Sequence, residues 1–527
     1  MTDRRSICID AENSSGPVTV MPPLRRKIAV AAIYLGTFMA TLAISIVTVA
    51  LPAIQKGLGA ELSDLQWVVG SYALCLSAFM LSAGPLGDRY GRKRAWLIGI
   101  GLFTLGSAIC AAATSLAVLI TGSALQGLAG ALVIPGALSI LTQAYPDPAE
   151  RAHVIGGWSS FSAVSLILGP MLGGLLVDNV GWPSIFLVNL PLGALAFGLG
   201  LIGIAESADP DQAAFDPPGQ FLSILFLGAL TYALIGAGQA GWAAPTTLGA
   251  LAIAALALPA FIVIEGKASR PVLPIDLFRN LPFASLNFAS FALGVSGYSS
   301  LFFFSLFLQQ AQGWPATQAG WRMAPVFAAM AVTAVLFGRL SIRYGLRRLM
   351  LLGYILLGGA MLMMARFEPD TSYVTIAPLF MLLGIGMGLA VPATSAAIMA
   401  SAPRARSGAA SATMNALRQG GMTIGVALLG TMMAGRAVAT MAQALAETGQ
   451  TSSLALAGFA VRRHEMPVGL AMAADDFRHL LAHALADGFC LAIVLAGLVG
   501  LAAALALVLA LHVRARRPES HPALDDL

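Results

Sequence analysis

The sequence predicts an all-α membrane protein with fourteen transmembrane helices. Of its 527 residues, 58% are hydrophobic and only 10% are charged, whereas about a quarter of the residues in a soluble domain are charged. Such a chain cannot cover itself with a polar surface. The apolar residues also form long runs that divide into stretches of about 20 residues, the length that crosses the hydrocarbon core of a bilayer.

The predicted spans follow one another with mostly short connections. Two long apolar runs are each divided into a helical hairpin, the first at Thr114-Ser115 and the second near Pro245. The predicted spans are 28–50, 66–87, 95–113, 117–140, 153–177, 184–205, 219–238, 246–265, 283–308, 320–341, 348–366, 374–398, 409–433 and 486–511.

Lysine and arginine fall mainly on one side of the predicted membrane. With the N-terminus inside the cell, 21 of the 30 lie in cytoplasmic segments, which satisfies the positive-inside rule. We therefore expect cytoplasmic tails at 1–27 and 513–527, and a long outer loop at 435–485. The first apolar run is too long for a signal peptide, so we expect a multi-pass protein of the bacterial inner (plasma) membrane.

An internal repeat divides the chain. The stretch "GPLGDRYGRKR" at 84–94 returns as "GRLSIRYGLRR" at 338–348, once after the second span and once after the tenth. Duplicated halves are typical of secondary transporters. The repeat predicts a six-helix bundle at 28–205, two linking transmembrane helices within 206–270, and a second six-helix bundle at 271–512.

These motifs together resemble the major facilitator superfamily, and within it the fourteen-helix drug:proton antiporter group. The resemblance covers nearly the whole chain. It implies the major facilitator fold and an antiporter that exports small, lipophilic or drug-like molecules by alternating access, typically in multidrug efflux. The matching segments are "GPLGDRYGRKR", "ALPAI" (50–54), "QWVVGSYAL" (66–74), "GPMLGG" (169–174), "FLVNLPLG" (186–193) and "LRQGG" (417–421).

The charged stretch at 84–94 is the candidate gating loop. Its glycines permit a tight turn and close backbone approach, and Asp88 can pair with a nearby arginine or cap a helix N-terminus. The resemblance implies a cytoplasmic latch that holds the outward-facing state; the alternative is an anchor that only sets topology. The second copy has Ile342 in place of the acid, so we expect a one-sided latch. The loop residues are Gly84, Gly87, Asp88, Arg89, Gly91 and Arg92.

The fifth span carries the antiporter-like sequence. Gly169, Gly173 and Gly174 allow close helix packing in lipid, and Pro170 removes a backbone hydrogen bond and bends the helix. We expect this helix to seal the pathway at the interface between the halves; the alternative is generic close packing.

Two charges that the resembling group carries within the membrane are missing here. An Asp is expected in the first span where this chain has Ala43, and an Arg in the fourth span where it has Ser123. A buried Arg without its partner would be costly, so their joint loss is physically coherent. Proton coupling is then either absent or moved to peripheral acids. The candidate proton sites are Asp178, Glu265 and Asp487.

Few polar side chains remain deep in the spans. Gln126, Arg418 and Gln419 are the intramembrane polar candidates, and Arg418 is the deepest charge. A charge at that depth is usually functional, so it could attract an anionic group or steady a neighbouring segment. The alternative is a side chain that extends to the interface.

Other functions find less support. Asp475, His479 and His483 have helical i, i+4 spacing that could hold zinc, but an amphipathic lead into the last span explains them as well. No cofactor motif, disulfide framework or catalytic set is present, so we do not expect an enzyme. The basic residues are scattered, which excludes nucleic acid. We expect a monomer in the lipid bilayer with a small-molecule substrate. A facilitator, an exporter without proton coupling and a non-transporting receptor remain as alternatives.

Overall fold

The computed structural model describes residues 22–208, 216–268, 271, 273–403, 406–447, 453–468, 470 and 472–515. Among them, fourteen helices are long and apolar enough to cross a membrane, which confirms the predicted number. Most of the two predicted tails, residues 1–21 and 516–527, lies outside the described residues.

The first half of the chain forms helices whose ends follow from proline and glycine. α1 begins at Pro23, because a proline in the first turn gives up only an N–H that has no helical partner. It ends before Gly59, whose φ is 62°. The helices are α1 (Pro23–Leu58), α2 (Leu62–Tyr90), α3 (Arg92–Ala111), α4 (Leu116–Ala144), α5 (Pro148–Asn179), the short α6 (Ser184–Leu187) and α7 (Asn189–Gly203).

Two linking helices and the second half follow. The ninth span is not one continuous α-helix, because π-helical turns at Gly294–Tyr298 and Phe307–Ala311 interrupt it. The helices are α8 (Pro217–Ala240), α9 (Pro245–Lys267), α10 (Leu281–Leu293), α11 (Ser299–Leu306), α12 (Ala316–Tyr344), α13 (Leu346–Met363), α14 (Tyr373–Ser401), α15 (Ser407–Glu447), α16 (Ser453–Arg463) and α17 (Ala474–Ala515).

The repeated stretch adopts the same turn in both halves. Gly91 separates α2 from α3 with φ 113°, and Gly345 separates α12 from α13 with φ 80°. A positive φ is unfavourable for residues with a Cβ atom, which explains why glycine occupies both positions.

Each half packs as a bundle, and the two bundles meet along two helix pairs. In the first half, α1 packs on α5 and α7, and α2 and α3 pack on α4. In the second half, α12 and α13 pack on α14, and α15 packs on α17. The halves join where α2 meets α15 and where α5 meets α12. The linking helix α8 lies against both α2 and α15.

The segment 435–485, predicted as an outer loop, is instead largely helical. α15 continues to Glu447, and α17 already begins at Ala474. Met441 and Leu445 are fully buried and lie one helical turn apart. The sequence is too polar here to indicate a span, yet its apolar spacing keeps the helix packed beyond the membrane.

The molecule has two faces that the following sections name by the chain ends. The terminal face is the one where α1 begins and α17 ends. The far face is the opposite one, where α16 lies. The charge distribution predicts that the terminal face is cytoplasmic.

Candidate functional site

Near the far face, α5 and α12 touch backbone to backbone. A Cβ atom on Gly174 would lie 2.7 Å from the carbonyl carbon of Ala316, and one on Gly320 would lie 2.8 Å from the carbonyl carbon of Pro170. Real Cβ atoms essentially never approach a neighbour within 3.0 Å. Glycine on both helices is therefore what allows this contact, as in other closely packed membrane helices.

The other two glycines of the motif serve a different helix. A Cβ atom on Gly173 would lie 2.9 Å from the carbonyl oxygen of Ile46, and one on Gly169 would overlap the Ser45 side chain. These two glycines therefore pack α5 onto α1 within the first half. The motif predicts close packing, but it does not reveal that its glycines are divided between two partners.

Asp178, at the end of α5, reaches across the seam between the halves. Its carboxylate accepts a hydrogen bond of 2.7 Å from the backbone N–H of Thr317, in the first turn of α12. The N-cap residue of that helix is Pro315, which offers no side-chain acceptor. A carboxylate at a helix N-terminus is stabilising, so this candidate proton site is a helix cap that joins the two halves.

Helix α16 adds polar contacts across the same face. The Gln55 side chain donates to the carbonyl oxygen of Arg462 at 3.1 Å and accepts from Gln310 at 2.7 Å. Arg463 lies 3.6 Å from the carboxylate of Glu61. These contacts connect α1 and the start of α2 with the second half, so the seam is closed at the far face.

At the terminal face, a cavity of about 830 Å³ lies along α1 and α5, and Val335 is its one lining residue from α12. A volume of this size is in the range of small-molecule sites, about 300–1,000 Å³. The described contacts thus close the seam at the far face, and this cavity lies on the opposite, terminal side. The cavity is lined by Lys27, Val30, Tyr34, Tyr145, His153, Val154, Gly156, Gly157, Ser160 and Val335.

The gating loop makes its polar contacts within the first half. The Asp88 carboxylate lies 2.6 Å from Arg92 Nε and 3.5 Å from the Ser139 hydroxyl. Asp88 thus pairs with one of the two arginines expected from the sequence. In this conformation, with the terminal face open, the described contacts of the loop do not hold the halves together.

Glu206 is a functional candidate that the sequence does not indicate. Its carboxylate accepts a hydrogen bond of 3.1 Å from the backbone N–H of Lys93 and lies 3.7 Å from Arg94. It therefore caps α3 at the loop that contains Asp88. No motif marks this residue, because its partner is 113 positions away along the chain.

Buried uncharged residues occupy the two positions where the resemblance implies charges. Ala43 and Ser123 are 5% and 3% exposed. Gln126 is buried between α3 and α4, where it donates to the Ser107 hydroxyl at 2.7 Å. Gln126 therefore belongs to the interior of the first half and not to the seam.

Arg418 lies deep in the second half. It follows the start of the 41-residue helix α15 by eleven residues, about 16 Å at 1.5 Å per residue. It donates to the Asn415 side chain, and its guanidinium lies 5.5 Å from the centre of the Tyr298 ring. The neighbouring Gln419 makes no side-chain hydrogen bond with the described residues.

The other two proton-site candidates lie at opposite faces. Glu265 is 2% exposed near the terminal face and accepts a hydrogen bond of 3.1 Å from the backbone N–H of Leu273. Asp487, near the far face, lies 2.7 Å from Arg436 and accepts from the Thr440 hydroxyl.

The weak zinc candidate is not formed. Asp475 pairs with Arg478 at 2.6 Å, while the rings of His479 and His483 lie 4.6 Å apart. Across the described part of the chain, no three His, Cys, Asp or Glu side chains are arranged to hold a metal ion. Only the shared helical spacing indicated a zinc site, and the Asp475 carboxylate pairs with Arg478 instead.

A family model described as the Major Facilitator Superfamily matches residues 33–426. The chain belongs to this superfamily. The multidrug resistance protein Stp of Mycobacterium tuberculosis is 39% identical over 77% of this chain and 76% of its own length. The methylenomycin A resistance protein of Bacillus subtilis is 35% identical over 76% of this chain and 86% of its own length.

Solved structures of this superfamily show the same fold. A bacterial homologue of the human lysosomal transporter Spinster, inward-facing and occupied, matches with a TM-score of 0.63 at 18% identity, covering 95% of this chain and 100% of its own. The predicted resemblance and fold class are thus confirmed. As a member of the Major Facilitator Superfamily, the protein is a multi-pass membrane transporter of small molecules, and its family and fold are those of transporters rather than enzymes.

Proposed function

We propose that this transporter exports small, lipophilic, drug-like molecules from the cell by alternating access of its two halves. The observation that carries the proposal is the asymmetry of the seam. Gly174 and Gly320 close it at the far face, whereas on the terminal side a cavity of about 830 Å³ lies along α1 and α5 and reaches Val335 of α12. Relatives named for multidrug and methylenomycin A resistance support export of such compounds.

Export requires the terminal face to be cytoplasmic, with both termini inside the bacterial inner membrane. The placement of 21 of the 30 lysines and arginines supports this orientation. We expect a reporter fused after residue 515 to be active only as a cytoplasmic reporter. We also propose that the protein works as a monomer, which light scattering of the purified protein would test.

We further propose that no carboxylate at the centre of the membrane couples export to protons. None of the 25 Asp and Glu residues lies in the middle of a predicted span. A coupling residue must meet both faces in turn. Asp178 and Asp487 lie at the far face and Glu265 at the terminal face, so each would exchange protons with its own side. Of the three, Asp178 is the one whose hydrogen bond bridges the two halves.

Two measurements test these proposals. A survival and dye-efflux panel in a pump-deficient host should show increased tolerance and export; a panel without any effect would reject drug export. In proteoliposomes, Asp178, Glu265 and Asp487 are neutralised one at a time. If a peripheral acid couples transport to protons, at least one of these variants should lose the uphill transport that an imposed pH gradient drives. Uphill transport that survives all three changes would reject peripheral coupling.

An uncoupled exporter or facilitator is the second candidate function. It is favoured by the burial of two uncharged residues, Ala43 and Ser123, where the resembling group carries charges. In this case the wild-type protein exchanges substrate in counterflow, but an imposed pH gradient never makes the substrate accumulate. The same proteoliposomes distinguish the two functions.

A further inference from the structure

Arg418 is a cation within the predicted thirteenth span, and it has no acidic partner among the described residues. The ion pairs found among the described residues do not include it, and its polar contacts are the Asn415 side chain and the face of the Tyr298 ring. It lies about three turns from the start of α15, so it does not simply extend to the membrane surface. A lone charge at such depth is costly and marks a functional site.

The fold holds this arginine in a built position. The π-helical turn Gly294–Tyr298 packs against α15, and a Cβ atom on Gly294 would lie only 3.0 Å from the carbonyl carbon of Arg418. Glycine lets the two backbones approach, and the π turn then brings the Tyr298 ring to the guanidinium. π-helical turns inside α-helices frequently occur at functional sites.

Neither side chain of this pair is fully enclosed within the second half. Arg418 and Tyr298 are half-buried. By contrast, the Tyr354 phenol is fully buried and bonded to Thr394 at 3.0 Å. α15 itself lines the seam, because Ser77 of α2 donates to the carbonyl oxygen of Ala416.

We infer that Arg418, with Tyr298 and Asn415, binds the anionic group of a substrate, and that amphiphilic organic anions are a substrate class of this transporter. This inference rests on the proposed export function. A guanidinium has five N–H donors, and Asn415 accepts from only one of its nitrogens. The remaining donors can engage a carboxylate in a bidentate pair. At position 43, where the resemblance implies an acid, the first half has an alanine and so offers no competing carboxylate there.

A matched pair of fluorescent probes tests the inference on full-length protein in nanodiscs. The probes are 11-(dansylamino)undecanoic acid and its methyl ester, which differ in charge but share the apolar body. Wild-type protein should bind the acid more tightly. Arg418→Gln should weaken binding of the acid about tenfold to a hundredfold, the value of a charge-assisted hydrogen bond, and leave the ester nearly unchanged.

Arg322→Gln is the matched control, because Arg322 stacks on Trp314 at 3.5 Å near the far face and should not affect either probe. Arg418→Lys keeps the charge without the planar fork, so it should retain part of the preference. It also decides the question if the Gln variant does not fold. Equal weakening of acid and ester, or no preference for the acid in wild type, would overturn the inference. A negative efflux panel together with a strong acid preference would instead reject the proposed export while leaving the binding site standing.

Discussion

Replacing Gly174 with leucine should force the transporter open at the far face. The Cβ atom alone would lie 2.7 Å from the carbonyl carbon of Ala316 and 2.7 Å from Cα of Thr317. These are backbone atoms of α12, which cannot rotate aside. Overpacking of this kind costs about 1–3 kcal/mol, and the cost applies only while the far face is closed. The closed population should therefore fall about 5- to 150-fold relative to the open one.

Thiol labelling from outside the cell measures this shift. Met323 lies on α12 below the contact and is fully buried. In a protein whose native cysteines are replaced, a cysteine at this position should react with a membrane-impermeant maleimide only when the far face opens. Gly173→Leu is the matched control. It clashes with Ile46 within the first half and should lower thermal stability and impair transport without opening the seam. Unchanged labelling in a folded Gly174→Leu protein, or an equal increase in the control, would refute the assignment of the two glycines.

Three further changes probe the faces of the seam. Asp88→Asn removes the charge paired with Arg92 and should cut export strongly while membrane insertion stays intact; normal export by a well-expressed variant would leave the loop as a topology anchor. Glu206→Gln weakens the cap on α3, worth about 1 kcal/mol, and should lower the melting temperature in scanning fluorimetry; an unchanged melting temperature contradicts a capping role. Asp178→Ala removes the cap on α12 across the seam and should raise far-face labelling about fivefold, for about 1 kcal/mol, and no increase would show that the hydrogen bond does not stabilise the closed state.

The sequence predicts the helices well because lipid leaves few alternatives. Every backbone group must be bonded within a span, so apolar length alone determined all fourteen. Contacts between distant segments could not be predicted in this way. Glu206 and Lys93 carry no shared signal, and the helical extension of α15 beyond the membrane depends on packing against α17. The glycine motif of α5 predicts close packing against neighbouring helices, but only the three-dimensional packing determines which glycine contacts which helix.

The lack of a deep charge in the first half bears on the deep arginine of the second half. In the first half, Ala43 and Ser123 are packed where an acid and a base are expected, so this half offers no charge at mid-membrane depth. Arg418 in the second half then has no acid to pair with across the seam, and its charge persists whether the pathway is open to one face or the other. A substrate anion would neutralise it during passage, and the cost of the exposed cation would return on release. After releasing its substrate, the transporter should therefore return either with another anion bound to Arg418 or with the arginine shielded by Tyr298 and Asn415. Net efflux into substrate-free medium includes return of the empty carrier, so its rate should differ between chloride and a bulky sulfonate, and this difference should disappear in Arg418→Gln.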